Sequence, residues 1–191
     1  DYKNSLTEEF YSEVTTKEFS SAQLIAYNKE LGDFLNLPNL SDNEICKIFS
    51  GQKNISPSSP IALVYAGHQF GHFVPRLGDG RAKLLGNIKA KDQKNYDIQL
   101  KGSGRTKYSR RGDGLSALGP VIREYIVSEA MHSLGVPTTR ALAAINTGEM
   151  VYREDMEPGG VFTRVARSHV RIGTFEYFFS QGDEKALKLL A

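Results

Sequence analysis

The sequence predicts an α+β fold in which an antiparallel sheet packs against helices, and two observations support this prediction. Short apolar runs separated by polar turns, such as "AKLLGNI" at 82–88 and "YDIQLK" at 96–101, have the length and alternation of β-strands. The segment "GPVIREYIVSEAMHSLG" at 119–135 instead has proline near its start, glycine at its end and apolar cover along its length, which predicts a helix.

The first part of the chain is expected to be helical and charged. The segment at 20–37 has apolar residues at roughly helical spacing and stops before Pro38. In "SDNEICKIFSG", Ser41 and Glu44 are spaced for a capping box, and Gly51 follows the helix. The segment "SPSSP" at 56–60 predicts a loop.

Beyond residue 60 the pattern becomes mainly that of strands. A strand is expected near 73–76, followed by a tight turn at 78–80. In the strand at 96–101, Tyr96, Ile98 and Leu100 share one face, whereas the other face carries polar side chains, namely Asp97, Gln99 and Lys101.

The last third of the chain continues this alternation. A hairpin is expected around Thr147-Gly148, a strand and a loop in "GVFTRVARSHVRIG", and helical structure from residue 174 to the end.

Composition limits the class of protein. The chain has 191 residues, 40% of them hydrophobic, which suits one domain or slightly more. No apolar run approaches the ~20 residues that cross a bilayer, so no membrane partner is expected. A single cysteine suits a reducing cytoplasm, and no signal or transit peptide is recognised. Because the chain lacks a starting methionine and its last helical pattern stops without a cap, the natural protein is expected to be longer.

The most unusual segment is "YDIQLKGSGRTKYSRRGDG" at 96–114. It concentrates positive charge among glycines, at Lys101, Arg105, Lys107, Arg110 and Arg111. Like charges repel and glycine costs backbone entropy, so either an anionic ligand offsets both effects or the loop is simply solvated. The formal net charge is only +2, which makes the basic stretch a local feature.

Several residues in and near this segment are candidates for binding phosphate. Gly78-Asp79-Gly80-Arg81 would let backbone N–H groups approach an anion, although an ordinary hairpin turn explains the same pattern. A strand lysine, Lys101, followed by a helix glutamate, Glu124, is the pair with which kinase-like folds hold nucleotide phosphates. The alternative for this pair is a surface salt bridge, and neither the kinase glycine signature nor a P-loop is present.

Other charged residues leave their alternatives open. Arg164, Arg167 and Arg171 either grip phosphate or pair with acids such as Glu176. The histidines of "HQFGH" at 68–72 lack the glutamate of a zinc helix, which argues against a metal site.

Four long segments together resemble the N-terminal part of the selenoprotein O family, the kinase-like protein adenylyltransferases. They are "YAGHQFGHFVPRLGDGRAKLLG", "DIQLKGSGRTKYSRRGDG", "ALGPVIREYIVSEAMHSLGVPTTRALA" and "RVARSHVRIGTFEYF". The resemblance runs from about residue 26 to the end. It implies a protein-kinase-like N-terminal lobe that binds ATP in a flipped orientation. It also implies transfer of AMP, rather than the γ-phosphoryl group, to Ser, Thr or Tyr hydroxyls of protein substrates.

The resemblance also implies particular site residues. Nucleotide contacts are expected at Gly78, Gly80, Arg81, Lys101, Asp113, Gly114, Arg164 and Arg171. Among these, Lys101 matches the phosphate-binding lysine, with Glu124 as its helix partner, and the two arginines match those that line the flipped phosphate pocket. Position 115 is leucine where the family commonly has arginine, which puts one basic contact in doubt.

The expected cofactors are ATP and Mg²⁺, with Mn²⁺ as an alternative metal. The resemblance implies a helical extension at 1–60, a kinase-like lobe at 61–166 and the start of a second lobe at 167–191. It places the catalytic Asp and the metal ligands beyond residue 191, so the 191 residues alone are expected to be inactive. Competing hypotheses are a kinase-like phosphotransferase and a nucleic-acid-binding module that uses the loop at 101–111. A nucleic-acid-binding module would need several aromatic side chains beside the charges for stacking on bases, and Tyr108 is the single aromatic residue of that loop.

Overall fold

The structure, a computed structural model, describes residues 2–53 and 60–191. The predicted α+β class and the antiparallel sheet are confirmed, since strands and helices intermix along the chain and the strands pair antiparallel. The helices are α1 (Tyr2–Ser5), α2 (Lys29–Phe34), α3 (Asp42–Phe49), α4 (Leu118–Ser133), α5 (Ile172–Ser180) and α6 (Glu184–Leu190), with a 3₁₀ turn at Glu8–Phe10. The strands are β1 (Tyr11–Glu13), β2 (Gln23–Tyr27), β3 (Ile61–Leu63), β4 (Gly67–Gln69), β5 (His72–Val74), β6 (Ala82–Lys89), β7 (Asn95–Lys101), β8 (Ser116–Ala117), β9 (Arg140–Tyr152) and β10 (Met156–Ala166).

The main sheet has the strand order β1-β3-β6-β7-β10-β9-β2, with β8 paired to β10. Strand β7 therefore lies near the middle, between β6 and β10. Its register places Lys101 opposite Ala82 on one side and opposite Phe162 on the other. Two residues earlier, Gln99 lies opposite Leu84 and Arg164. Strands β4 and β5 form a separate two-stranded sheet.

The two faces of β7 meet different helices. On one face, Ile98 and Leu100 belong to the largest buried apolar cluster, together with Leu35 of the α2 end and Phe49 of α3. On the other face, Lys101 contacts Glu124 of α4. Because successive side chains of a strand alternate, the predicted polar face of β7 lies on the α4 side of the sheet.

The helix predicted at 20–37 is wrong in its first part, because residues 23–27 form strand β2. Leu24 pairs with Ile145 of β9, and this pairing with a distant strand overrides the local helical spacing. Helix α2 begins only after Asn28, whose side chain accepts a hydrogen bond from the backbone of Leu31. The prediction for α3 is confirmed, including the reciprocal capping box of Ser41 and Glu44.

The hairpin predicted at Thr147-Gly148 is also wrong, because β9 continues through it to Tyr152 and the chain turns at 153–155. Gly148 has φ +72° for a different reason: a Cβ there would lie 2.6 Å from the carbonyl oxygen of Ser21. The glycine marks a close approach of two chain segments, which a turn pattern cannot distinguish.

The turn at 78–80 does not join two paired strands. Strand β5 pairs with β4, whereas β6 pairs with β3 and β7, so the hairpin explanation of Gly78-Asp79-Gly80 is wrong. The strand expected near 73–76 is β5, which ends at Val74.

The strong helix is confirmed as α4, although it starts two residues before Pro120. Gly135 ends it with φ +77°, as expected, and its N–H donates to the carbonyl of His132. The last segment is helical in α5 and α6, as predicted. Of the helices in the described ranges, none combines the length and apolar character needed to span a membrane. The loop predicted at 56–60 falls almost entirely on residues outside those described.

Candidate functional site

An open cleft of about 680 Å³ lies between the turn at 78–81 and the segment at 108–115. Five of the residues expected to contact a nucleotide line it, namely Gly78, Gly80, Arg81, Asp113 and Gly114. We call the residues 78–81 and 106–114 the loop end of the site.

Glycine is required at two positions of the loop end. Gly78 has φ +64°, and a Cβ on it would overlap the ring of Tyr108. Gly114 has φ +73°, and a Cβ on it would overlap the backbone of Gly104. Gly78 therefore lets the ring of Tyr108 pack against the loop end, and Gly114 lets the backbone of Gly104 do so.

Side-chain hydroxyls hold the two halves of the loop end together. The hydroxyl of Thr106 donates to the carbonyl of Asp79 at 2.6 Å, and that of Ser109 donates to the carbonyl of Gly80 at 2.6 Å. The Ser109 hydroxyl also accepts from the N–H of Thr106 at 2.7 Å. The basic loop is thus anchored by its uncharged residues, while Arg105, Lys107 and Arg111 are exposed.

Arg153 extends the loop end and was missed by the sequence analysis. Its guanidinium contacts both carboxylate oxygens of Asp113, at 2.8 and 3.3 Å, and donates to the carbonyl of Leu115 at 2.9 Å. Partial burial raises the pKa of Asp113, but the Arg153 guanidinium and the N–H of Leu115 lower it further than burial raises it. Asp113 is therefore held as a carboxylate at the rim of the cleft.

The second group of predicted residues lies on the α4 side of the sheet, and we call Lys101, Glu124, Arg164 and Arg171 the sheet end of the site. The ammonium of Lys101 forms an ion pair with the carboxylate of Glu124, and both side chains are partly buried. Burial lowers the pKa of Lys101, Glu124 opposes this effect, and the charges of Arg81 and Arg164 lower the pKa further.

The two arginines of the sheet end interact with each other electrostatically. Burial lowers the pKa of Arg164, and the positive charge of Arg171 lowers it further. The Nε of Arg164 donates to the side-chain carbonyl of Gln99 at 2.8 Å. Arg171 is more exposed and lies over the ring of Tyr65, 4.8 Å from its centroid.

The start of α5 explains where Arg171 sits. The carbonyl of Gly173 accepts a hydrogen bond from the N–H of Ala66 at 2.7 Å, and a Cβ on Gly173 would overlap the Ala66 carbonyl. Glycine therefore lets the first turn of the helix approach the backbone that follows β3. This approach brings Arg171 next to Tyr65.

Asp79 places a buried carboxyl group beside these cations. Only 1% of its surface is exposed, and one carboxylate oxygen accepts from the N–H of Leu63 at 3.2 Å and from Gln99 at 3.1 Å. Burial raises its pKa, while the positive charges of Arg171 and Arg164 and the Leu63 N–H act in the opposite direction. The two arginines therefore act electrostatically on the buried carboxyl group of Asp79.

Two residues connect the loop end with the sheet end. Arg81 lines the cleft, and its charge acts on Lys101. Tyr65 lines the cleft and stacks against Arg171, and burial together with the charge of Asp79 raises its pKa to about 12. Lys101, Glu124, Arg164 and Arg171 do not line the cleft themselves, and Arg81 and Tyr65 are the residues that relate them to it.

The remaining features that the sequence raised, a third arginine, a stacking tyrosine and a metal site, add no residue to the candidate site. Arg167 is exposed and lies over the ring of Tyr96 at 5.3 Å, away from the other two arginines. Tyr108, which a nucleic-acid-binding loop would need as a stacking platform, is only 7% exposed. Across residues 2–53 and 60–191, no group of three or more His, Cys, Asp or Glu side chains is arranged to hold a metal ion.

Comparison with known proteins points to one family. Residues 2–191 match the family described as Protein adenylyltransferase SelO. The chain is 56% identical over 187 residues to the Protein nucleotidyltransferase YdiU of Maridesulfovibrio salexigens, covering 97% of this chain and 38% of that protein. It is 54% identical over 187 residues to the YdiU of Rhizobium rhizogenes, covering 97% of this chain and 37% of the relative. The chain thus spans less than two fifths of the length of these curated relatives.

Proposed function

The chain belongs to the protein adenylyltransferase SelO family, and on that premise we propose that it forms the ATP-binding part of an enzyme that transfers AMP to proteins. The acceptors in this proposal are Ser, Thr or Tyr hydroxyls. The kinase-like lobe is proposed to comprise residues 61–166, preceded by an extension at 1–60 and followed by the start of a second lobe at 167–191.

The observation that supports this proposal most strongly is the grouping of cations at the sheet end. Lys101, Arg164 and Arg171 come from β7, β10 and the start of α5, and the charge of Arg164 acts on Lys101 while that of Arg171 acts on Arg164. Because like charges repel, such a group is costly unless anionic groups lie beside it. A polyphosphate, with several negative charges, would offset that repulsion and match the donors of lysine and arginine.

The proposed chemistry divides between the two ends of the site. In the flipped orientation the α-phosphate faces the acceptor hydroxyl, and the β- and γ-phosphates leave as pyrophosphate. Negative charge then develops on the leaving group, and in this proposal the cations of the sheet end stabilise it. The loop end, where glycines and arginines line the cleft together, accepts the remainder of the nucleotide.

A divalent ion, Mg²⁺ or Mn²⁺, is proposed as the metal cofactor, and it would neutralise part of the phosphate charge. We assign no metal ligand to the described residues, and the catalytic Asp is expected in the rest of the protein. The single cysteine, Cys46, is buried, and burial raises the pKa of its thiol. An unreactive thiol of this kind fits our proposal of a cytoplasmic location.

The proposal is tested by incubating the full-length protein with a mixture of acceptor proteins and ATP labelled at either the α- or the γ-phosphate. We expect label to enter protein from α-labelled ATP and not from γ-labelled ATP. Transfer of the γ-label would instead support the kinase-like phosphotransferase, which the same lysine–glutamate pair would also serve. The 191-residue chain alone is expected to transfer neither label.

A further inference from the structure

The polar face of the central strand β7 carries Asp97, Gln99 and Lys101, and the first two of these side chains are buried. Gln99 is fully buried and Asp97 is 8% exposed. Asp97 accepts a hydrogen bond from the N–H of His169 at 3.0 Å, and Lys101 forms an ion pair with Glu124. Buried polar groups need such partners, so the row is an organised network.

Gln99 is the member of this row whose side chain forms hydrogen bonds with two ionisable side chains. Its amide nitrogen donates to the carboxylate of Asp79 at 3.1 Å, and its amide oxygen accepts from the Nε of Arg164 at 2.8 Å. A guanidinium can only donate, so the amide oxygen must face Arg164 and the amide nitrogen faces Asp79. Glutamate at this position would lack the donor, and an apolar residue would lack both groups.

The hydrogen bond that Nε donates to Gln99 restrains one edge of the Arg164 guanidinium. Among residues 2–53 and 60–191, the terminal nitrogens of this arginine form no hydrogen bond. A planar guanidinium that is held at Nε still presents two terminal N–H groups side by side, which is the geometry that matches a phosphate.

We propose that Gln99 is a positioning residue that, anchored by Asp79, orients the Arg164 guanidinium toward the phosphates of the bound nucleotide. This inference rests on the proposed function, because it assumes that Arg164 contacts phosphate. It assigns to Gln99 no contact with the nucleotide itself. Gln99 therefore contributes to nucleotide affinity only through Arg164.

A purely structural role for Gln99 predicts different behaviour. Gln99→Met keeps the approximate volume of the side chain and removes both hydrogen bonds. If Gln99 only fills space or satisfies Asp79, this variant loses thermal stability but binds ATP normally once folded. If Gln99 positions Arg164, the folded variant binds ATP about tenfold more weakly, a loss of ~1.4 kcal/mol. Its affinity for adenosine, which has no phosphate, stays unchanged.

The experiment is a double-mutant cycle in the full-length protein, with ATP and adenosine affinities measured by calorimetric titration. The variants are Gln99→Met, Arg164→Met and the double variant. We expect Gln99→Met to lower ATP affinity in the wild-type background and to have no further effect when Arg164 is already replaced. Gln52→Met is the matched control, because it removes a partly buried glutamine that donates to the carbonyl of Phe19, outside the site. It is expected to change stability only.

The other outcomes distinguish a failure of the positioning role from a failure of the proposed phosphate site. Normal ATP affinity in Gln99→Met, or an additive loss in the double variant, would overturn the positioning role while leaving the proposed phosphate site intact. Normal ATP affinity in Arg164→Met would contradict the phosphate site itself. Gln99→Asn, which keeps a buried amide but is too short to reach both partners, repeats the test if the methionine variant folds poorly. It is expected to lose ATP affinity in the same way.

Discussion

The loop end and the sheet end of the candidate site achieve stability in different ways. At the loop end, Gly78 and Gly114 let a tyrosine ring and a backbone segment pack tightly, and hydroxyls hold the loop together. At the sheet end, charged side chains from different strands and helices oppose one another. The difference indicates that the loop end is sensitive to any added atom, whereas the sheet end is sensitive to changes of charge.

The largest effect on folding is expected at the loop end. Gly114→Ala should lower the free energy of unfolding by about 3 kcal/mol, because alanine is strained at φ +73° and its Cβ would overlap Gly104. Gly71→Ala is the control, with φ +78° but open space around the added Cβ. It should cost about 1 kcal/mol. Urea unfolding of the full-length protein measures both, and equal losses would show that close packing does not distinguish the loop end.

The next effect concerns ligand binding at the sheet end. Arg171→Ala should weaken ATP binding about tenfold and Arg167→Ala should leave it unchanged. The two arginines form a matched pair, since both are exposed and each lies over a tyrosine ring, at 4.8 and 5.3 Å. Neither change should alter stability by more than ~0.5 kcal/mol. A large fall in the melting temperature of Arg171→Ala would indicate a structural role for that residue.

Several features of the fold could be predicted because they depend on short-range pattern. The capping box of α3 and the alternation of β7 follow from neighbouring residues, and the structure confirms both. The Lys101–Glu124 pair also follows from the order of a strand and a helix, and the two side chains are in contact.

Features that depend on distant chain segments could not be predicted in this way. Strand β2 exists because it pairs with β9, more than a hundred residues away, and Gly148 is required by the approach of Ser21. The Asp113–Arg153 pair joins residues forty positions apart, and no local motif signals it.

A pH-dependent effect is expected from Lys83, which holds the segment that leads from β7 into the loop end. Its ammonium is fully buried and donates to the carbonyls of Thr15 and Ser103 at 2.7 and 2.8 Å. Burial lowers its pKa from 10.5 to about 8. Between pH 8 and 10.5 the unfolded chain retains a proton that the folded chain has lost, so the free energy of unfolding rises with pH in this window.

Comparison with Lys83→Met isolates this contribution. The wild-type protein should gain stability relative to the variant as pH rises from 8 to 10.5, and the difference should be constant below pH 8. Urea unfolding at a series of pH values measures it. A difference that falls with rising pH would mean that the buried ammonium is stabilised by a partner that we have not identified.

The smallest effect is expected at the rim of the loop end. Arg153→Met breaks a partly exposed ion pair, so it should cost less than ~1 kcal/mol of stability, as should Lys17→Met, which breaks a similarly exposed pair with Glu149. Only the Arg153 variant should also weaken ATP binding, by about threefold, because Asp113 lines the cleft. If both variants bind ATP equally well, the Asp113–Arg153 pair lies outside the binding site.

The most direct test of the central claim, that cations from separate elements bind one polyphosphate, is the effect of Lys101→Met on two ligands of the full-length protein. We predict that its dissociation constant for ATP rises at least tenfold while that for adenosine is unchanged. Unchanged ATP affinity in the folded variant would contradict the account.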